Sequence, residues 1–172
     1  EKIKYVGNIM IESIETFWDK INSSDILKTL FLNKKGYALV TIHRQENIDN
    51  KYYLKNILTM LNEINRSVPL VFPLHPGTKK SVKEFKLNNL LKNLIIIEPL
   101  SYFDFMKLLI GSRGIITDSG GIQDETSHLG IPCCTIRDNT ERPITLELGS
   151  NKLFSILDSE ELPQNIPSVI AH

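Results

Sequence analysis

Residues 114–125 carry the strongest chemical pattern in the sequence, Gly-Ile-Ile-Thr-Asp-Ser-Gly-Gly-Ile-Gln-Asp-Glu. This pattern predicts a buried strand, a turn on Gly120 and Gly121, and the start of a helix. The first N–H groups of a helix have no partner within it, and the helix dipole makes that end electropositive. Because glycines lack Cβ atoms, a diphosphate could approach these donors closely. The segment therefore predicts a phosphate site.

Side chains beside this turn could complete a nucleotide site. Ser119 can donate its hydroxyl, and Glu125, about one turn into the helix, offers two acceptor oxygens to ribose hydroxyls. A purely structural interpretation is also open, in which Ser119 caps the helix and Asp124 and Glu125 complement its dipole. The segment has neither the glycine spacing of a dinucleotide-binding fold nor the lysine of a P-loop.

Polar side chains also follow two other predicted strands. Residues 41–47 read Thr-Ile-His-Arg-Gln-Glu-Asn. They contain His43, a candidate proton donor or phosphate ligand, and Arg44, a fixed cation for phosphate or carboxylate. A Pro-Gly turn after the next strand would aim His75 along the same edge. The alternatives are a solvated turn with an incidental ion pair and a histidine that is only structural.

A third charged segment, residues 136–143, begins where another predicted strand ends. Either Arg137 or Arg142 could close over an anion, although a network of ion pairs that only ties the loop is the alternative. Phe105 has helical spacing to apolar neighbours, which makes a core position its default interpretation.

These segments need a scaffold that brings strand ends together. Short apolar, β-branched runs alternate with segments of helical period, which indicates βαβ units in a covered parallel sheet. Strands are predicted at 37–42, 70–73, 94–97, 114–117, 133–136 and 152–156, and helices at 9–21, 24–31, 52–65, 80–91, 102–110, 122–129 and 142–148. Right-handed crossovers give a doubly wound α/β domain whose ligand crevice lies at the carboxyl ends of the strands.

The sequence divides into three parts. We expect residues 1–36 to form a leading linker and outer helices, and residues 37–157 to form the doubly wound domain. The polar tail, residues 158–172, is interrupted by Pro163 and Pro167. We expect it to close without a packed final helix.

Composition and charge exclude several classes of protein. The 172 residues include 20 basic and 20 acidic side chains, so no excess positive field favours nucleic acid or an anionic membrane. No apolar run is long enough to cross a bilayer, and the first residues show no signal-peptide pattern. Cys133 and Cys134 are neighbours whose side chains would point to opposite faces of a strand, which suits neither a disulfide nor a metal site. We expect a cytoplasmic protein without metal or cofactor.

Three of these motifs, taken in order, resemble one family. Residues 41–47, 117–125 and 137–143 are similar to segments of the non-hydrolysing UDP-N-acetylglucosamine 2-epimerases, and the resemblance extends over residues 5–155. It implies a two-domain fold of the glycosyltransferase-B type, of which this chain resembles the second, Rossmann-like, UDP-binding domain. It also implies reversible inversion at C2 of UDP-N-acetylglucosamine, through elimination of UDP and its re-addition on the other face.

The resemblance implies roles for individual residues. His43 would be the catalytic histidine. The UDP-binding residues would be Phe105, Ser119, Gly120, Gly121, Glu125 and Arg137. Arg44 and His75 match positions that the family uses to bind a second, regulatory UDP-sugar.

The sequence holds only part of the family's pattern. The carboxylates that abstract the C2 proton belong to the family's first domain, so we expect this half to bind UDP and hardly to epimerise. Its partners would be UDP, the UDP-N-acetylhexosamine and that first domain, with a homodimer as the complete form. Two alternatives stay open, namely a UDP-sugar glycosyltransferase domain and a stand-alone UDP-sugar-binding module.

Overall fold

A six-stranded parallel sheet forms the centre of the computed structural model, which describes residues 7–156 and 162–170. Its strands are β1 (Ala38–Thr41), β2 (Leu70–Pro73), β3 (Ile95–Ile97), β4 (Ile115–Thr117), β5 (Cys133–Ile136) and β6 (Asn151–Phe154). They lie in the order β3-β2-β1-β4-β5-β6, and each neighbouring pair is parallel. The predicted doubly wound α/β fold is confirmed.

Helices cover both faces of this sheet. The helices are α1 (Ile9–Thr16), α2 (Trp18–Ser23), α3 (Ile26–Thr29), α4 (Gln45–Ile48), α5 (Lys51–Ile64), α6 (Pro76–Glu84), α7 (Tyr102–Gly111), α8 (Gly120–Leu129), α9 (Pro143–Glu147) and α10 (Leu162–Ile170). Helices α4, α5, α6 and α10 contribute to the core on one face, and α1, α2, α3, α7 and α8 to the core on the other. No described helix has the length and apolar character needed to span a membrane.

The strands are apolar on both sides because each face of the sheet is covered. In β1, Leu39 packs with the α7 side and Val40 with the α5 side. In β5, Cys133 and Cys134 alternate in the same way, as expected of neighbours in a strand. Burial raises the pKa of the Cys133 thiol to about 11, so this thiol is protonated at neutral pH.

Two predicted helices differ most from their expected bounds. The helix expected at 80–91 begins earlier, because Pro76 occupies the first turn and the His75 ring accepts a hydrogen bond from the Gly77 N–H (3.1 Å). It ends at Glu84, and a separate 3₁₀ turn follows at Asn88–Leu91, beyond the left-handed backbone of Lys86 (φ 59°). The helix expected at 9–21 is divided at Phe17 into α1 and α2.

The prediction that the tail lacks a packed final helix is wrong. Helix α10 packs on α5, and Ile166 and Ile170 are fully buried in the core on that face. Pro163 lies in the first turn, where its missing N–H has little effect. Burial of two isoleucines spaced one turn apart offsets the hydrogen bond that Pro167 cannot donate.

The strand order fixes the position of the ligand crevice. The chain leaves β1 towards β2 on one side, whereas it leaves β4 towards β5 on the other. In doubly wound sheets the ligand binds at the carboxyl ends of the two strands where the order reverses. The loops after β1 and β4, residues 42–44 and 118–119, therefore border the crevice.

Candidate functional site

Asp118 joins the loops that follow β1 and β4. Its carboxylate is fully buried and accepts hydrogen bonds from the backbone N–H groups of His43 (3.0 Å) and Arg44 (2.9 Å). It also accepts a hydrogen bond from the side-chain amide of Asn47 (3.0 Å). These hydrogen bonds offset part of the free-energy cost of burying the carboxylate. This network fixes the loop that carries His43 against the loop that leads into α8.

Sequence reasoning gave Asp118 and Asn47 no role. Asp118 directly follows β4 and Asn47 lies in the short helix after β1, and both polar side chains are almost completely buried. An aspartate directly after a strand of apolar residues was the available signal, because such a side chain needs several donors when it is buried. Residues 45–48 also form helix α4, which the sequence did not predict.

A cavity of about 230 Å³ lies above these strand ends. Four of the predicted site residues line it, namely His43, His75, Phe105 and Ser119. The rings of His43 and His75 are 5.6 Å apart between centroids, and His43 Nδ1 lies 3.4 Å from Asp118 Oδ1. The structure therefore brings together side chains that are up to 76 positions apart in sequence.

Helix α8 begins at the edge of this cavity. Ser119 is its N-cap residue, but the Ser119 hydroxyl makes no capping hydrogen bond. The backbone N–H of Ser119 donates to Thr117 Oγ1 (3.0 Å), which fixes the turn into the helix. The hydroxyl is thus not used as the helix cap that the structural interpretation assumed.

Two arginines and one carboxylate meet at the start of α8. Glu141 Oε2 accepts from Arg137 Nη1 (2.7 Å), and Glu141 Oε1 accepts from Arg44 Nη2 (3.4 Å). A Cβ atom on Gly120 would overlap Glu141 Oε1, so the carboxylate touches the first residue of the helix. A hydrogen bond from its own backbone N–H and the Arg137 guanidinium lower the pKa of Glu141.

Arg137 is the more buried of the two arginines. Only 10% of its side chain is exposed, and Glu46 Oε1 lies 3.6 Å from its Nε. The same side chain borders a second cavity of about 200 Å³, together with Glu46 and Asn139. Arg142 lies elsewhere, paired with Asp124 (Nε to Oδ2, 2.9 Å).

Glu125 lies one turn further along α8, in a separate pocket of about 170 Å³. Met10 and Tyr102 also line this pocket, and Glu125 is only 3% exposed. Burial, and secondly the charge of Asp124, raise the pKa of Glu125 to about 7. The carboxyl group thus titrates near neutral pH.

The predicted residues therefore surround the first turns of α8 without forming one enclosed pocket. The cavity with His43, His75, Phe105 and Ser119 lies on one side, and Arg44 and Arg137 lie at the helix end. Glu125 and Gly121 face helix α1, where Met10 Cε would lie 3.1 Å from a Cβ on Gly121. Within residues 7–156 and 162–170, no group of three or more His, Cys, Asp and Glu side chains is placed to hold a metal ion.

Comparison with known proteins agrees with this architecture. The family model for UDP-N-acetylglucosamine 2-epimerase matches residues 1–172. A UDP-N-acetylglucosamine 2-epimerase from Methanococcus maripaludis is 41% identical over 163 residues, which cover 89% of this chain and 44% of the relative. The chain thus spans about half the length of the curated relatives it matches.

Solved structures show the same likeness. The UDP-GlcNAc 2-epimerase of Methanocaldococcus jannaschii, in complex with UDP-GlcNAc and UDP, superposes with a TM-score of 0.89 at 37% identity, over 99% of this chain and 49% of that one. The E. coli ADP-heptose heptosyltransferase II has a TM-score of 0.59 at 9% identity, over 85% of this chain and 50% of that one, which shows the fold alone. The expected Rossmann-like domain of the glycosyltransferase-B type is confirmed, and the chain belongs to the UDP-N-acetylglucosamine 2-epimerase family.

Proposed function

We propose that this chain is the UDP-binding half of a UDP-N-acetylglucosamine 2-epimerase. One observation carries the proposal, namely that Arg44 and Arg137 meet at the glycine-rich start of α8 beside the cavity lined by Ser119 and Phe105. Two guanidinium groups and the N-terminal N–H groups of a ten-residue helix form a strong anion-binding arrangement. Family membership and the complex of a relative with UDP-GlcNAc and UDP support UDP as the anion.

Each part of UDP then has a partner. The diphosphate lies across the start of α8, in reach of the Ser119 hydroxyl and of the N–H groups of Gly120 and Gly121. The ribose reaches Glu125 one turn along the helix, where a buried carboxyl group can accept hydrogen bonds from two hydroxyls. The uracil lies near Phe105 on α7.

This arrangement suits a reaction in which UDP leaves the sugar. Negative charge grows on the diphosphate as the glycosidic C–O bond breaks, and donors already in place stabilise that charge most in the transition state. Arg137 and the start of α8 supply such donors. His43, at the cavity edge, is the proposed catalytic histidine, and the Asp118 carboxylate beside its Nδ1 orients the ring.

Epimerisation also requires groups that these residues do not include. We propose that carboxylates of the other half of a two-domain protein abstract the C2 proton of the sugar, and that the complete form is a cytoplasmic homodimer. These residues alone then bind UDP but do not epimerise UDP-N-acetylglucosamine. The chain's span of about half its relatives supports this division. The resemblance also assigns Arg44 and His75 to a regulatory UDP-sugar site; because Arg44 shares Glu141 with Arg137, we assign Arg44 to the diphosphate and keep His75 as the candidate for that regulatory site. The likeness to a heptosyltransferase carries no information on activity.

Calorimetric titration of UDP into the 172-residue chain tests the proposal, with ADP as the competing nucleotide. We expect Ser119→Ala and Phe105→Leu each to weaken UDP binding about tenfold, because each removes one contact to the nucleotide. Two matched variants serve as controls. Ser23→Ala removes an exposed hydroxyl. Phe103→Leu alters a ring that lies on the same helix as Phe105 but packs on Phe17.

The proposal stands if UDP binds in preference to ADP and only the site variants weaken it. Folded protein that binds neither nucleotide contradicts it. Equal losses in the site and control variants would also contradict it, because they would show a general effect on folding. Addition of EDTA should leave UDP affinity unchanged.

A further inference from the structure

Glu141 occupies the place that the proposed function assigns to a phosphate. It lies in the segment between β5 and α9, and its side chain reaches the start of α8, where it touches Gly120. Its two oxygens are shared between two cations, with Oε2 on Arg137 and Oε1 on Arg44. The protein's own Glu141 carboxylate is therefore bound at the N-terminal start of α8.

A diphosphate and this carboxylate cannot be bound there together. Both require the Nη atoms of Arg44 and Arg137, and the carboxylate fills the space beside Gly120 that an approaching phosphate oxygen needs. The Glu141 side chain is 47% exposed, so it can rotate away without disturbing the core. Each guanidinium would then exchange a carboxylate oxygen for a phosphate oxygen.

We propose that Glu141 sets the affinity of this site by competing, as a built-in anion, with the diphosphate of the nucleotide for Arg44 and Arg137. The inference rests on the proposed function, since it concerns the same site. Its consequence is that only a ligand with enough charge and enough acceptors to satisfy both arginines displaces the carboxylate. If the carboxylate of residue 141 competes less strongly, the site binds the diphosphate more tightly.

The test compares wild-type protein with Glu141→Gln, which keeps the size of the side chain and removes its charge. Glu98→Gln is the matched control, because it removes the same charge from an exposed pair with Lys79 (2.8 Å). UDP, inorganic pyrophosphate and uridine are titrated into each protein. Circular dichroism verifies that all three proteins are folded.

Glu141→Gln should bind UDP and pyrophosphate about 5- to 20-fold more tightly than wild type, because the two ion pairs of Glu141, with Arg44 and with the more buried Arg137, no longer have to be broken. Uridine carries no phosphate and should bind equally to wild type and Glu141→Gln. Glu98→Gln should match wild type for all three ligands. A shared gain for UDP and pyrophosphate would place the effect at the two arginines.

Three results would overturn the inference. Unchanged or weaker UDP binding in Glu141→Gln would show that the carboxylate does not compete, and with normal UDP binding in wild type the proposed function would survive. A gain for uridine equal to that for UDP would show an indirect effect. If neither wild type nor Glu141→Gln bound UDP or pyrophosphate, both the inference and the proposed function would be rejected.

Discussion

Glu125 should make the stability of this protein depend on pH near neutrality. Burial raises the pKa of its carboxyl group from 4.5 to about 7, with a smaller contribution from the charge of Asp124. One pKa unit corresponds to 1.36 kcal/mol, so ionising this buried group costs about 3 kcal/mol of folding free energy. Replacement by glutamine, which is neutral and of the same size, removes the cost.

The direction of the effect follows from where the proton is bound. Below pH 4.5 the carboxyl group is protonated in both the folded and the unfolded chain, so the full stability is present. Between pH 4.5 and about 7 the unfolded chain releases the proton while the folded chain keeps it, and the free energy of unfolding falls. Well above pH 7 both states are ionised and the loss is complete.

Urea unfolding of wild type and Glu125→Gln between pH 4.5 and pH 8.5 measures this effect directly. The two proteins should have similar free energies of unfolding at about pH 4.5, and the variant should be about 3 kcal/mol more stable at about pH 8. Glu98→Gln, which removes a carboxylate that is 80% exposed, should stay within about 0.5 kcal/mol of wild type. A difference between wild type and Glu125→Gln that does not change with pH would refute the reasoning.

Three further changes have defined outcomes. Asp118→Ala leaves the N–H groups of His43 and Arg44 without their acceptor, so it should lower the free energy of unfolding by about 3 kcal/mol in a urea titration and weaken UDP binding. Gly120→Ala would displace only the flexible end of Glu141, so thermal unfolding should change little, while the new methyl group should lower UDP affinity at least tenfold by calorimetry. Ile166→Ala should cost about 2–4 kcal/mol in urea unfolding, because this side chain of α10 is fully buried; a loss below 1 kcal/mol would show that the helix packs weakly.

Much of the fold was predictable because its signals are local. Strands such as β5, which are covered on both faces, read as short apolar runs, and Gly120 follows one of them at a helix start. Local signals gave a wrong prediction where a contact with residues distant in sequence stabilised the segment. Helix α10 contains Pro167, which suggested an open tail, yet burial of Ile166 against α5 keeps this segment helical.

The candidate site was likewise predictable only in part. His43 and Ser119 were expected near each other because parallel strands end at one edge of the sheet, and both line one cavity. The partners of Asp118 were not predictable, since the donors on His43 and Arg44 are 75 and 74 positions away. Nor did the sequence indicate that Glu141 is bound by Arg44, 97 positions away.

By itself the sequence determined the fold class, the strand positions, and the motifs that resemble the UDP-N-acetylglucosamine 2-epimerases. Only the tertiary structure decided that β1 lies beside β4, that Asp118 holds their loops together, and that a carboxylate occupies the start of α8. The physical reason is the range of the interactions. Propensity and hydrophobic period depend on neighbours in sequence, whereas burial, hydrogen-bond partners and competition between charges depend on groups that meet only when the chain is folded.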